Sequence, residues 1–239
     1  MDQNTPVPQG KRGSGAAGRV ALEFVKSLGA GLFLGGTLFL AAWRLDWPMA
    51  WVYTGISVLD AFLVLLVASP DLMRERIRPG PGVKPWDRVL ARLTGPLGSM
   101  LLLITAGLQV RFQGLHVLPL ALQLVGLAVF VLGMGLVTWA IAVNSFFSLM
   151  VRIQTDRGHT VISSGPYRFV RHPGYVGGML FSLGTPLLLG SWWALFPAGA
   201  MAILMVVRAV LEDKTLQEEL AGYREYAQQV RYRLLPGVW

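Results

Sequence analysis

Long apolar stretches constrain this chain more than any other feature of its sequence. They cover approximately residues 20–43, 49–68, 95–110 and 118–143, and a broken apolar block spans 176–207. A helix needs about 20 mostly apolar residues to cross the hydrocarbon core of a bilayer. The pattern predicts an all-α integral membrane protein with about five or six transmembrane helices. The break near "LLLGSWW" allows the last block to form either a re-entrant pair or two short spans.

Composition agrees with a membrane protein and excludes several classes of site. Charged residues make up only 14% of the 239 residues and hydrophobic residues 54%, whereas a soluble domain carries about a quarter charged residues. The chain has no cysteine, which excludes disulfides and zinc–thiolate centres. With three histidines no metal site is expected. The net charge of +8 is typical of loops that face anionic lipid, so no nucleic-acid partner is predicted.

The distribution of positive charge predicts the orientation of the chain in the membrane. Of 21 lysines and arginines, only Arg44 and Arg111 fall on one side of the predicted spans. Cytoplasmic loops carry the excess of lysine and arginine. Both termini and the polar segment 144–175 are therefore expected to be cytoplasmic. Our interpretation of the location is a bacterial inner membrane.

Three regions are predicted along the chain. Residues 1–19 are rich in Gly, also contain Pro, Ser, Gln and Ala, and are expected to form a disordered tail. Residues 20–143 contain the first four transmembrane helices, with a basic cytoplasmic loop at 70–94 that could include a short interfacial helix. Residues 144–239 are predicted to form the catalytic region, which consists of a polar loop, an apolar helical hairpin and a C-terminal amphipathic helix.

Polar chemistry is concentrated in two segments that are expected on the same membrane face. The first reads "RIQTDRGHTVISSGPYRFVRHPGY" and the second "RAVLEDKTLQEELAGYREYAQQVRYRLLPGVW". A Walker loop, GxSxG and HExxH do not occur in the sequence. A membrane anchor requires positive charge but no fixed Pro-x-Tyr spacing. The two segments therefore indicate a composite functional site rather than an anchor.

This two-part pattern resembles the membrane methyltransferases of the isoprenylcysteine carboxyl methyltransferase and phospholipid methyltransferase group. The first part matches through Gly165-Pro166-Tyr167 and Arg171-His172-Pro173-x-Tyr175-x-Gly177. The second part matches through Arg208, Glu212-Asp213, Leu216, Gly222-Tyr223, Tyr226 and Leu235-Pro236-Gly237. The resemblance covers roughly the C-terminal 100 residues. The family often has Glu-Glu where this chain has Glu212-Asp213, which leaves the role of the shorter second acid less defined.

The resemblance implies an enzyme that transfers a methyl group from S-adenosylmethionine to a lipophilic acceptor arriving from the bilayer. The acceptor could be a carboxylate, such as a prenylcysteine-like group, or a phospholipid amine. The implied cofactor-binding residues are His159, Val161, Gly165, Pro166, Tyr167, Arg171, His172, Pro173, Tyr175 and Glu212. Acidic, basic and aromatic side chains of these types suit the charged groups of the cofactor. Such an enzyme would contribute mainly proximity and orientation.

Arg208 and Glu212 are the predicted catalytic residues. They lie four residues apart on a predicted helix and so share one face. Arg208 could clamp an acceptor carboxylate with its planar fork, or form a salt bridge with Glu212. A carboxylate acceptor is already ionised at neutral pH and needs no base. A phospholipid amine would need one, and Glu212, His172 and Asp60 are the candidates.

Two other functional classes are open at this point. Sterol-type reductases that use NADPH carry a similar RHPxY motif, but they tend to continue with x-Gly-Glu after the tyrosine, and here Gly178 replaces the acid. A membrane scaffold or small transporter would account for Asp60, an acid in the middle of a predicted span. Asp60 could equally be a structural partner of Gln109 or Asn144.

Overall fold

The computed structural model describes residues 14–115 and 118–239, and this part of the chain is helical, without strands. Its α-helices are α1 Ser14–Ala42, α2 Pro48–Val67, α3 Pro70–Ile77, α4 Pro85–Thr94, α5 Pro96–Gln113, α6 Leu120–Val143, α7 Pro173–Leu188, α8 Leu195–Glu219 and α9 Tyr223–Gln229. Two 3-10 turns, Thr155–Arg157 and Gly165–Arg168, lie between α6 and α7. The prediction of an all-α fold is confirmed.

Five helical segments within the described residues are long and apolar enough to cross a membrane. They are Phe24–Ala42, Pro48–Val67, Pro85–Gln113, Leu120–Val143 and Leu195–Glu219. Helix α7 has 16 residues and at about 1.5 Å per residue is shorter than a hydrocarbon core of about 30 Å. The apolar block predicted at 176–207 is therefore a hairpin of one short and one long helix.

Helices α6 and α7 pack closely because glycines remove side chains from their contact. A Cβ atom built on Gly133 of α6 would lie 2.4 Å from the backbone nitrogen of Phe181. One built on Gly177 of α7 would lie 2.6 Å from the carbonyl oxygen of Gly133. Such distances are shorter than any real carbon contact, so only glycine permits this approach. The close packing places the start of α7, which carries the RHPxY motif, against the end of α6.

The basic segment 70–94, predicted as a loop with at most one short helix, contains two helices. Ser69 caps α3 by accepting a hydrogen bond from the backbone N–H of Leu72 at 3.2 Å, a common helix start. Prolines open both α3 and α4 at their first turn, where a missing N–H costs nothing. Helix α4 continues into α5 through Gly95. The predicted span beginning at residue 95 is thus the second half of a longer helical segment.

The charged C-terminal segment does not start a new helix at Arg208. Helix α8 runs from Leu195 to Glu219 without a break, so its apolar first half and its charged second half form one rod. The amphipathic helix predicted from Arg208 onward is the end of α8, followed by a turn at Gly222 with a φ of 80° and by the short α9. Arg208, Glu212 and Asp213 therefore extend from the same rod that borders the apolar core.

The N-terminal tail predicted at 1–19 is only partly within the described residues. Helix α1 begins at Ser14, so the last part of that range is helical. The remainder of the predicted tail lies outside the described residues.

Asp60 has a partner that the sequence did not suggest. Its Oδ1 accepts a hydrogen bond from the Thr138 hydroxyl at 2.7 Å, which joins α2 to α6. Both predicted partners bind elsewhere. The Gln109 amide oxygen accepts from the Ser191 hydroxyl at 2.7 Å, and the Asn144 amide donates to the segment that precedes α7. The expectation that Asp60 pairs with Gln109 or Asn144 is therefore wrong.

Candidate active site

A cavity of about 510 Å³ lies between the 144–175 segment and helices α4, α7 and α8. Its volume falls in the range of about 300–1,000 Å³ that is usual for small-molecule sites. Its lining includes a polar and aromatic set of residues, His159, Tyr167, His172, Tyr175, Glu212, Tyr223 and Tyr226. It also includes an apolar set, Val137, Phe147, Leu149, Phe181 and Met205. We call these two sets the polar and the apolar compartment of the single cavity.

Most of the residues selected from the sequence meet at this cavity. Those that line it are His159, Val161, Tyr167, Arg171, His172, Tyr175, Arg208 and Glu212. Gly165, Pro166 and Pro173 do not line it. Gly165 adopts a φ of 57° at the start of a 3-10 turn, a conformation that favours glycine. Pro173 opens α7. Gly165 and Pro173 thus shape the loop, and a cofactor contact by any of the three residues stays a prediction.

Asp213 is the centre of the polar network, although the sequence left its role undefined. Its side chain is 1% exposed, and it accepts hydrogen bonds from Arg171 at 2.7 and 3.1 Å and from Arg233 at 2.8 Å. The Tyr223 hydroxyl donates to it at 3.0 Å, and His172 Nε2 lies 3.3 Å away. A buried carboxylate requires such partners. Asp213 therefore holds the loop before α7, the end of α8 and the C-terminal segment together.

Arg171 is committed to the structure rather than free for a ligand. Beyond its bidentate contact with Asp213, its Nη1 donates to the carbonyl oxygens of Val230 at 2.8 Å and Arg231 at 2.9 Å. Its backbone N–H donates to the Tyr232 carbonyl at 2.9 Å. These bonds account for most of its five donors. Arg171 thus anchors the segment after α9 against the RHPxY loop. Few of its N–H donors remain for the predicted contact with a cofactor.

Tyr175 and Glu212 form the polar contact that points to ligand binding. The Tyr175 hydroxyl donates to Glu212 Oε2 at 2.6 Å. Glu212 Oε1 accepts no hydrogen bond from the residues that the structure describes. Glu212 is half-buried and lines the cavity. One oxygen of this carboxylate is therefore available to a cationic or hydrogen-bonding group in the polar compartment.

His159 also offers a donor to the cavity. Its Nδ1 accepts a hydrogen bond from the Gln154 backbone N–H at 3.3 Å, which places the proton on Nε2. The ring lies against Phe146, with centroids 4.6 Å apart. Burial, together with the charges of Arg152 and Arg157, lowers the pKa of His159 to about 4. The imidazole is thus neutral at physiological pH.

Arg208 pairs with Asp87, a partner that the sequence did not suggest. Its Nε and Nη2 donate to the two carboxylate oxygens of Asp87 at 2.7 and 3.0 Å, in a bidentate pair that joins α8 to α4. A further bond goes to the Leu149 carbonyl at 2.9 Å. No ion pair joins Arg208 to Glu212, so that alternative is wrong. The guanidinium lines the cavity and lies 5.4 Å from the centre of the Tyr175 ring.

A third buried ion pair fixes the segment between α6 and α7, and sequence reasoning missed it. Arg152 donates to Glu75 of α3 at 2.6 and 2.7 Å, and also to Asp156 at 2.7 Å. Hydrogen bonds from Arg152, which outweigh the opposing effect of burial, lower the pKa of Glu75. No signal in the sequence indicated Glu75, because 77 positions separate it from Arg152. Glu75 also lies in the segment predicted as a basic loop.

The polar compartment fits the chemical groups of S-adenosylmethionine. Tyrosine rings attract a cation over their faces, and the free oxygen of Glu212 adds a negative charge beside them. His159 supplies a neutral donor, and the cavity is large enough for a small-molecule ligand. The donors and acceptors in this compartment are therefore of the types that such a cofactor requires.

Known proteins have sequences similar to this region. Residues 122–221 match the model of the phospholipid methyltransferase family. A probable protein-S-isoprenylcysteine O-methyltransferase of Oryza sativa subsp. indica is 31% identical over 91 residues, which cover 35% of this chain and 45% of the rice protein.

Two further relatives are named for the same activity. Protein-S-isoprenylcysteine O-methyltransferase B of Arabidopsis thaliana is 30% identical over 113 residues, which cover 44% of this chain and 55% of that protein. The enzyme of that name from Homo sapiens is 30% identical over 94 residues, which cover 36% of this chain and 31% of the human protein. The chain spans about half the length of the plant relatives it matches. The region matched by the family model contains the polar segment, α7 and α8.

Proposed function

We propose that the protein is an S-adenosylmethionine-dependent methyltransferase of a membrane, because residues 122–221 match the phospholipid methyltransferase model and a similar rice protein is a probable isoprenylcysteine O-methyltransferase. The acceptor that we propose is the carboxylate of a lipophilic, prenylcysteine-like molecule. The observation that carries this proposal is the single cavity, whose lining combines aromatic and acidic side chains with apolar ones.

The polar compartment would hold the cofactor. We assign this role to Tyr175 and Glu212, together with His159 and Tyr167. When bound, the cofactor would supply the sulfonium methyl group for transfer to an acceptor oxygen. The protein residues orient the two molecules and exclude water, which is the main requirement for such a transfer.

The acceptor would enter the apolar compartment from the bilayer. A carboxylate is ionised at neutral pH and therefore requires no general base. The Asp87–Arg208 pair, whose arginine lines the cavity, would then keep α4 and α8 in register. In this proposal Arg208 is a positioning residue, and the catalytic region includes α4 in addition to residues 144–239.

A binding and product experiment tests this function. Purified full-length protein in detergent is titrated with S-adenosylmethionine and, separately, with NADPH. It is then incubated with methyl-labelled S-adenosylmethionine and either N-acetyl-S-farnesylcysteine or phosphatidylethanolamine. Binding of S-adenosylmethionine and a labelled methyl ester of the farnesylcysteine are expected. Binding of NADPH alone would contradict the proposal, and label only in the phospholipid would replace the carboxylate acceptor by an amine.

A further inference from the structure

Five arginines line the cavity, and they differ in whether a carboxylate neutralises them. They are Arg76, Arg92, Arg152, Arg171 and Arg208. Arg152, Arg171 and Arg208 each form the ion pairs described above. Among residues 14–115 and 118–239, no carboxylate pairs with either Arg76 or Arg92. Arg92 is exposed to solvent, whereas Arg76 is half-buried. Arg76 is thus the partly buried cation of this cavity whose charge the described residues leave uncompensated.

The surroundings of Arg76 satisfy little of its hydrogen-bonding capacity. Its Nη1 donates to the carbonyl oxygen of Phe147 at 3.3 Å, and its Cζ lies 5.7 Å from the centre of the Phe147 ring. A guanidinium has five N–H donors, so most of them have no acceptor among the described residues. Burial lowers the pKa of Arg76, which reflects the cost of removing an uncompensated charge from water. A bound anion would offset that cost.

The helix that carries Arg76 is held firmly beside the cavity. Ser69 caps the start of α3, and Leu72 is 1% exposed. Glu75, the residue before Arg76, receives two hydrogen bonds from the buried Arg152. A fixed backbone reduces the ordering cost when a ligand binds. Arg76 is therefore positioned before any ligand arrives.

We propose that Arg76 binds the carboxylate of the lipophilic acceptor and selects an anionic acceptor over a neutral one of the same shape. This inference rests on the methyltransferase function proposed above. The apolar chain of the acceptor would lie against Leu149, Phe181 and Met205, which line the same cavity. The sequence indicated Arg208 for binding this carboxylate, but the guanidinium of Arg208 already forms a bidentate pair with Asp87.

The assignment has a consequence for product release. Methylation converts the carboxylate to a neutral ester, which can no longer form an ion pair with Arg76. A charge-assisted contact is about twice as strong as a neutral one. The methyl ester is therefore expected to bind more weakly than the acid, so the same residue that attracts the acceptor favours departure of the product.

Binding measurements without the cofactor test the role of Arg76. Full-length protein in detergent is titrated by calorimetry with N-acetyl-S-farnesylcysteine and with its uncharged carboxamide. The wild type should prefer the carboxylate by about ten- to a hundredfold, as expected for a hydrogen-bonded charge. Arg76→Gln should abolish that preference while the affinity for the carboxamide, which reports an intact cavity, stays unchanged. Arg76→Lys, which keeps the charge but loses the planar fork, should retain part of the preference.

Arg74→Gln is the matched control, because Arg74 is on the same helix with its side chain 82% exposed. It should bind both compounds as the wild type does. Retention of the full preference by Arg76→Gln, or its absence from the wild type, would overturn the assignment. Selective binding of a short-chain phospholipid in place of the carboxylate would also overturn it. Absence of S-adenosylmethionine binding, measured separately, would instead contradict the methyltransferase function.

Discussion

Asp213 and Glu212 are adjacent on α8, yet their surroundings give them different roles. Asp213 is saturated by donors from three parts of the chain, whereas Glu212 keeps one oxygen without a donor from the described residues. The family resemblance indicated an acidic pair but could not divide its roles, because that division depends on which partners fold against each carboxylate. The shorter Asp213 is the structural member of the pair.

We expect Asp213→Asn to destabilise the protein strongly. Loss of the charge leaves the buried Arg171 without its counterion, and breaking a buried ion pair typically costs about 3–5 kcal/mol. Thermal unfolding in detergent measures the effect. Asp156→Asn is the control, since the Asp156 side chain is 50% exposed and exposed pairs contribute about 0–1 kcal/mol. Equal losses from the two substitutions would contradict the structural role of Asp213.

Glu212→Gln should weaken cofactor binding without destabilising the protein. The fold should survive, because Tyr175 can still donate to the amide oxygen that replaces Oε2. The affinity for S-adenosylmethionine should fall by about ten- to a hundredfold, as is typical when a charged partner is removed from a polar contact. Calorimetry on the purified variant measures it, and an unchanged affinity would remove Glu212 from the cofactor site.

His159 should make stability depend on pH between about 4 and 6.5. Its pKa is lowered to about 4 in the folded protein, whereas an unfolded histidine has a pKa of about 6.5. In that window the unfolded chain binds more protons, so its population increases and stability falls as the pH falls. The thermal midpoint of the wild type should therefore drop more steeply from pH 7 to pH 5 than that of His159→Gln. Parallel pH profiles would show that the imidazole is not held neutral.

At the scale of elements, the positions of the apolar helices could be predicted but their pairing could not. Hydrophobic length alone located α2, α6 and the end of α1 to within about two residues, whereas α1 begins at Ser14, before its predicted start at residue 20. The bidentate pair of Arg208 with Asp87 joins residues 121 positions apart, and no local pattern reports a contact of that range. Prolines and basic residues in the 70–94 segment suggested a loop, although proline at the first turn of a helix is well tolerated.

The contact between α6 and α7 provides a test at this scale. Gly133→Ala should destabilise the hairpin, since the added Cβ would lie 2.4 Å from backbone of α7 and overpacking costs about 1–3 kcal/mol. Gly135→Ala on the same helix has no atom within 4 Å of its added Cβ, and alanine favours a helix over glycine by about 0.8–1 kcal/mol. Thermal unfolding should separate the two variants. A loss of similar size in both would mean that the helices do not approach so closely.

For the whole molecule, the polar network, the cavity and the C-terminal segment lie at one end of the helical rods. The C-terminal segment reaches the RHPxY loop through the Arg171 and His172 backbone N–H groups, each 2.9 Å from a carbonyl oxygen of residues 232–233. Arg44 and Asp46, in the short connection between α1 and α2, form an exposed pair away from that network. Because lysine and arginine favour the cytoplasmic side, we infer that the cavity opens toward the cytoplasm.

Cysteine labelling tests this orientation, and the absence of native cysteine from the sequence makes the assay specific. Leu45→Cys, at a position 66% exposed in the connection between α1 and α2, should react with an impermeant maleimide added outside intact cells. Lys214→Cys, with a side chain 72% exposed on the charged half of α8, should react only after the membrane is permeabilised. Denatured samples establish that both thiols are reactive. The reverse pattern would place the cavity on the outer face and would mean that the skew of lysine and arginine does not set the orientation of this chain.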